Sequence, residues 1–320
     1  MAIQLANEYQ KKVADRFTAD SKTESWAGKA YDFVGVHAIQ IWTIDDPFFG
    51  AYNRDGDATY GAFRFGKITE VGDTYQTLEM GENFAIAKSI DKANAGEQYN
   101  IKKAQRVLKL YTDRGLRPIV DMKRLYKWAT GHGLSGGKTV QTNTTAAALV
   151  AGDTSANGKN ILEAIFEASA ALSDKNVPLD NRVLFVTELD YVKFQLGKYV
   201  VGGSQLNANT VRKGYTGTID NIAIVRVPSV YMPANVGFIM KYKGATVDPI
   251  KMKTLRVQKD PLGIDGDVLE MHVEYDSFVV NAWCDGVYVY KTASADPTPP
   301  TGLSTLISTS TTTTTTTTTT

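Results

Sequence analysis

One segment constrains this chain more than any other. From Leu269 onward, Leu269, Met271, Val273 and Tyr275 alternate with Glu270, His272, Glu274 and Asp276 without a break. A period of two marks a strand with one buried and one wet face. Residues 278–280 continue it, and Asp285-Gly286 then turns the chain into a second apolar run at 287–290. Helical spacing is equally plain elsewhere. Ile101, Ala104, Leu108 and Tyr111 recur at three and four residues, and Leu116, Ile119, Val120 and Tyr126 resume the pattern. Gly115 and Pro118 interrupt it, so a kink or break is expected there. Residues 160–172 read as a second amphipathic helix. Thr187 with Asp190 reads as a capping box opening a third, through Val192 and Leu196. Residues 183–186 and 222–227 read as short strands. Helices and strands mix without a fixed repeat, which excludes a solenoid or propeller.

Charge is the next constraint. The 320 residues carry a net charge of +1, which excludes a global polycation. That neutral total conceals two opposed segments. Residues 45–82 hold eight acidic side chains against Arg54, Arg64 and Lys67; residues 101–127 hold nine basic ones against Asp113 and Asp121. The acidic segment carries the hairpin dipeptides Asp55-Gly56 and Gly72-Asp73, with Phe63, Phe65, Ile68, Tyr75 and Leu78 around the second. A long hairpin with its tip near 71–73 is expected. An isolated hairpin is marginal in water, so the subunit body or a neighbour must hold it. The basic helix suits two roles: neutralising nucleic-acid phosphate without sequence preference, or pairing with the acidic hairpin of a neighbour.

Catalytic patterns are missing. The segment 131–139, GHGLSGGKT, imitates a phosphate loop, but the position five before Gly137 is His132, and a helical pattern precedes it. It reads as a flexible loop. His37, His132 and His272 are scattered, without metal-ligand spacing. The single cysteine, Cys284, excludes an internal disulfide, suits a reducing compartment and reads as buried filler beside Trp283. No nucleophile elbow, carboxylate pair or dinucleotide fingerprint occurs. No cofactor, metal or catalytic residue is expected, and the chain does not read as an enzyme. No run approaches the ~18 apolar residues of a membrane span, and residues 1–17 lack a secretory h-region. A protein made in a cytoplasm, without a membrane partner, is expected. From Thr292 the chain is rich in Thr, Ser and Pro and ends in ten threonines, which reads as an exposed tail.

Taken in order, five pieces carry a resemblance. They are Thr69-Glu70-Val71-Gly72-Asp73; the strand Phe84-Ala85-Ile86-Ala87-Lys88-Ser89-Ile90-Asp91; and Glu97-Gln98-Tyr99-Asn100-Ile101 opening the basic helix. Then come Gly217-Thr218-Ile219-Asp220 with Val225-Arg226-Val227-Pro228-Ser229, and Asp260-Pro261-Leu262-Gly263-Ile264-Asp265-Gly266-Asp267 before the alternating strand. Across residues 35–292 this resembles the major capsid protein of tailed bacteriophages, the Hong Kong ninety-seven-type fold, which implies an α+β fold class.

The resemblance implies an N-terminal arm at 1–33, an extended hairpin loop at 34–80 and a peripheral domain with a long spine helix at 81–135. It further implies an axial domain at 136–264, peripheral return strands at 265–291 and a Thr-rich tail at 292–320. It implies a subunit that self-assembles as hexamers and pentamers into an icosahedral-type shell around double-stranded DNA. Synthesis in a bacterial cytoplasm and residence in the virion follow. Glu70, Gly72 and Asp73 would make the intersubunit hairpin contact; Lys102, Arg106 and Lys109, at four- and three-residue spacing, would face the DNA. The short segment before the first strand points to a separate scaffolding protein, with a portal as a further partner. Lys67 and Asn281 match no cross-linking motif, so covalent cross-linking is unsupported by the sequence. The alternative is an encapsulin-like nanocompartment shell.

Overall fold

The alternating strand forms as expected and lies at the centre of an antiparallel sheet. The computed structural model describes residues 20–31, 33, 37–44, 52, 54–55, 64–65, 70–91, 104–151, 158–201, 222–259 and 261–307. Along the chain, β1 (Ala38–Ile44), β2 (Asp73–Glu79) and β3 (Glu82–Asp91) come first. A helical run follows: α1 (Ala104–Tyr111), a π-helical turn (Thr112–Leu116) and α2 (Arg117–Thr130). Short strands β4 (Gln141–Thr142), β5 (Ala148–Val150) and β6 (Gly158–Asn160) lead into α3 (Ile161–Asp174). Then come β7 (Arg182–Thr187), α4 (Glu188–Val201), β8 (Ala223–Val227), β9 (Val236–Tyr242) and β10 (Thr246–Val247). Strands β11 (Ile250–Lys259), β12 (Gly266–Tyr275), β13 (Phe278–Val279) and β14 (Val287–Lys291), with α5 (Leu303–Leu306), complete the described chain.

A five-stranded mixed sheet, ordered β4-β14-β9-β7-β8, holds most of the core. It is covered on both faces, so its strands can be apolar throughout. Leu184, Val186, Phe238 and Met240 pack on one side against Ile161, Ile165 and Leu172 of α3. Val183, Phe185, Ile239 and Val289 pack on the other against Leu125 and Trp128 of α2. Helix α3 starts where Asn160 caps Leu162 N at 3.0 Å. Thr187 and Asp190 form their reciprocal contact ahead of α4.

The basic helix does not break. Pro118 lacks the N–H that an α-helix would direct at Arg114, and its ring would crowd that carbonyl. The turn before it widens to π-helix, Thr112–Leu116, and Pro118 falls in the first turn of α2. The helix ends at Gly131, whose φ of 65° and ψ of 42° make it a left-handed cap.

The second sheet runs β11-β12-β3, with full pairing from Gly266↔Asp91 to Tyr275↔Glu82. One expectation fails here. The polar face of β12 is not wet along its length: Glu274 and the following Asp276 are buried. Glu274 Oε1 lies 2.7 Å from His37 Nδ1, and Asp276 meets Lys127 of α2. These charges go inside because each has a partner there.

The exposed-tail expectation is also corrected over its first half. Thr292 N donates to Asn235 O, Ala234 and Thr298 form a bridge, and Leu303 is buried beside Ile119, Val120 and Met122 of α2. Low-complexity composition hid one apolar anchor, Leu303, that finds a place on the body. The threonine run, 311–320, lies outside the described residues.

Residues 20–28 form a strap across α2. The buried Asp121 carboxylate accepts from Ser21 Oγ at 2.7 Å, Lys22 N at 2.8 Å and Thr23 Oγ1 at 2.5 Å. Gly28 then passes so close to Thr246 that an added Cβ would sit 1.6 Å from its carbonyl oxygen.

Candidate assembly surfaces

The hairpin is anchored at its base, and its described residues are exposed at the far end of the ladder. Its ladder pairs β1 with β2 from Ala38↔Glu79 to Ile44↔Asp73. Thus the partner of Asp73–Glu79 is the stretch from Ala38, further back than the 63–68 neighbourhood the sequence suggested. Most of 45–69 lies outside the described residues. At the base, Ile41 and Leu78 join Phe33, Met80, Val247 and Phe278 in a small core. Gln76 is buried between them: its amide donates to Gly133 O at 2.6 Å and Val279 O at 3.1 Å, and it accepts from Asn281 N at 2.8 Å. Those bonds fix the direction in which the hairpin leaves the body.

Beyond Gln76 the surface is exposed. Trp42 and Tyr75 pair directly across the ladder, ring centroids 5.2 Å apart, and are 61 % and 59 % exposed. Ile44 and Val71 are 70 % and 72 % exposed. Glu70, Gly72 and Asp73 are all exposed beside them. The sequence-derived contact residues therefore sit together at the far end of the described ladder, and an aromatic patch that the charge reading passed over sits with them. Its signal is phase. In β1, Ile39 and Ile41 face the body, so Trp42 and Ile44 fall on the opposite face, where polar residues are expected. A contiguous exposed apolar surface of this kind marks an interaction site.

The basic helix divides into two parts. In α2 the cations are used within the subunit. Lys123 and Lys127 both reach Glu82, at 3.1 and 3.3 Å; Lys127 also holds Asp276, and Arg124 holds Glu24 at 2.7 Å. Burial alone would raise the Glu82 carboxyl, but Lys127 and Lys123 hold it below the usual carboxylate range. Those three cations are therefore not available to a neighbour's hairpin as the sequence count implied. In α1, Lys109 is exposed. Arg106 belongs to α1 but its side chain, like Lys102, lies outside the described residues.

The other chemistry-bearing residues are structural. The loop after α2 turns through Gly131, Gly133, Gly136 and Gly137, all at positive φ, and leads to β4 rather than to a helix. It presents no helix N-terminus to a phosphate. His132 stacks on Phe278 at 5.4 Å; burial and then Lys127 push its imidazole below the usual value. Cys284 is buried, and burial pushes its thiol up. Among the described residues no group of His, Cys, Asp and Glu could hold a metal, and no helix is long and apolar enough to cross a membrane.

No family model matches the sequence, and no curated protein matches it. Solved structures do. One from Mycobacterium phage Che8 superposes with a TM-score of 0.65 at 16 % identity, covering 91 % of this chain and 98 % of that one. The mature capsid of bacteriophage PhiM1 gives 0.66 at 10 % identity, with 91 % and 92 % covered. The capsid of an empty GTA particle gives 0.58 at 14 % identity, with 91 % and 96 % covered. The chain shares the fold of these capsid structures over nearly its whole length. The α+β architecture implied by the sequence resemblance is the one observed.

Proposed function

We propose that this protein is a shell-forming subunit of a tailed-phage head. The observation that carries the reading is the anchored hairpin with an exposed aromatic and acidic surface, on a fold shared with capsid structures over 91 % of the chain. The mechanism is geometric. Each copy lays its hairpin on a neighbour, modest contacts repeat around closed symmetric rings, and the sum holds the shell. Hexamers and pentamers of this one chain make up the head, which encloses double-stranded DNA. Lys102, Arg106 and Lys109 offer charge to phosphate without reading sequence. A separate scaffolding protein and a portal complete the partners, and the virion is the final location.

Negative-stain microscopy of the purified chain, with nucleic-acid analysis of any particles, tests this. Closed shells holding DNA support it. Closed shells holding protein cargo transfer the reading to a nanocompartment. A monomer that stays monodisperse at high concentration overturns both.

A further inference from the structure

Two polar side chains tie the hairpin to the body, and they differ in one respect. Gln76 carries a neutral amide, so its bonds to Gly133, Val279 and Asn281 are the same in acid and in base. His37 can gain and lose a proton. It stands one residue before β1, and its carbonyl accepts from Met80 N at 3.1 Å, which closes the base of the ladder. Its ring lies between carboxylates from two different sheets. Nδ1 is 2.7 Å from Oε1 of Glu274 in β12, and Nε2 is 3.4 Å from Oε1 of Glu79 in β2. The Glu274 side chain is buried at 4 % exposure, whereas that of Glu79 is 70 % exposed and the imidazole 51 %.

An imidazole has two N–H groups only as the cation; the neutral ring has one donor and one lone pair. Carboxylates at both nitrogens are therefore both answered only by the protonated ring. Once the proton leaves, one nitrogen turns a lone pair on an anion, whichever tautomer forms. The neighbouring strands of the second sheet complete the surroundings. Lys251 of β11 and Asn83 of β3 stand opposite Glu274 in the pairing register, the first a cation and the second uncharged.

We propose that His37 is a proton-operated latch on the hairpin: as the imidazolium it ties the base of β1 and β2 to β12, and on losing its proton it lets one side of that base go. The hairpin then pivots on Gln76. Below the latch's transition the exposed rings of Trp42 and Tyr75 are presented in one fixed direction; above it they are presented with more freedom. The latch lies within a single subunit and stands whether or not shells form.

Hydrogen exchange of the unassembled full chain, read by mass spectrometry at about pH 5.5 and about pH 8.5, spans the range in which an imidazole changes charge. Protection of β1 and β2, corrected for intrinsic exchange, is compared with that of β7, which reports opening of the body. In the wild type the hairpin should lose about tenfold in protection relative to β7 on going to the higher pH, the worth of one charge-assisted hydrogen bond. His37→Gln keeps a single donor and has no proton to lose, so its hairpin should show no such change and should match the wild type at the higher pH. Circular dichroism checks that this variant folds. If it does not, Glu79→Gln, at an exposed position, decides instead: it leaves the ring one carboxylate and should shrink the change. A wild-type hairpin that tracks β7 at both pH values, or a deciding variant with the full wild-type response, overturns the proposal. Light scattering of the same samples reports assembly separately, so the latch and the shell reading can fail independently.

Discussion

Lys127 Nζ donates to Asp276 Oδ1 at 2.5 Å, with both side chains nearly out of solvent. The pair joins α2 to the end of β12. Asp276 also accepts from Gly81 N and Ser277 N, so one carboxylate holds a helix, a strand end and the start of β3 together. Removing the cation leaves that charge buried and uncompensated. Lys127→Met is expected to lower unfolding free energy by about 3–5 kcal/mol, the range for breaking a buried pair from one side. Urea denaturation of the unassembled subunit measures it. A loss under about 1 kcal/mol would show that His132, 3.5 Å from Asp276, or water takes over.

The same pair shows what could and could not be read from the sequence. Strand β12, the capping box at Thr187 and the helix over 160–172 were legible because each is a local pattern of a few residues. Strand β9 was not: Val236–Tyr242 is an apolar run without a period, and only the two helices that cover its sheet make that sensible. Asp276 read as wet because alternation tells which face a residue is on, never what covers that face. The charge count of 101–127 failed for the complementary reason. Its partners, Glu24, Glu82 and Asp276, come from three distant segments. At the candidate surface, turn chemistry suggested a tip at 71–73, but Asp73 pairs with Ile44 at the end of the ladder and the connection between them spans 45–72; Trp42 required knowing that Ile39 and Ile41 face inward.

Leu303 is a second site where fold and sequence reading part. It packs against Ile119, Val120 and Met122 of α2, and its removal leaves a cavity there. Leu303→Ala is expected to cost about 2–3 kcal/mol. Truncation after residue 302 should destabilise at least as much, whereas truncation after residue 310 should leave the melting temperature unchanged. Equal melting temperatures for all three variants and the wild type would mean that 303–307 contributes nothing to the core.

Lys241 gives the protein a pH dependence of defined sign. Its ammonium is wholly buried, 3.6 Å from the Trp128 ring, bonded to Thr246 Oγ1 at 2.6 Å and 4.0 Å from Asp248. Burial pushes it down to about 7, against the opposing pull of Asp248. The unfolded chain keeps this proton up to a pH near 10, so between pH 7 and 9 the unfolded state binds about one proton more, and stability rises with pH. Above that window the trend reverses, because burial raises the phenols of Tyr275 and Tyr290 and the Cys284 thiol. Lys241→Met should flatten the rise between pH 7 and 9. Parallel stability profiles for the two proteins across that window would show that Lys241 stays charged in the folded state.

The exposed far end of the described ladder sets the last expectation. Two kinds of surface are exposed there: the carboxylates of Glu70 and Asp73, and the rings of Trp42 and Tyr75 with Ile44 and Val71. Exposed ion pairs contribute at most about 1 kcal/mol each and fade as the screening length falls from ~10 Å at 0.1 M salt to ~3 Å at 1 M. Aromatic rings bury about 150–250 Å² each, at roughly 25 cal/mol per Å², and salt does not screen that. The aromatics should therefore dominate assembly. Trp42→Ser with Tyr75→Thr should abolish shells in both low and high salt, whereas Glu70→Lys with Asp73→Lys should reduce yield chiefly at low salt. Neither pair touches Gln76, Ile41 or Leu78, so subunit stability should stay within about 0.5 kcal/mol of the wild type. Light scattering across a salt series, with denaturation of the unassembled subunits, measures both effects. If the lysine variant loses all assembly at 1 M salt while the aromatic variant still closes shells, the ranking of the two surfaces is wrong.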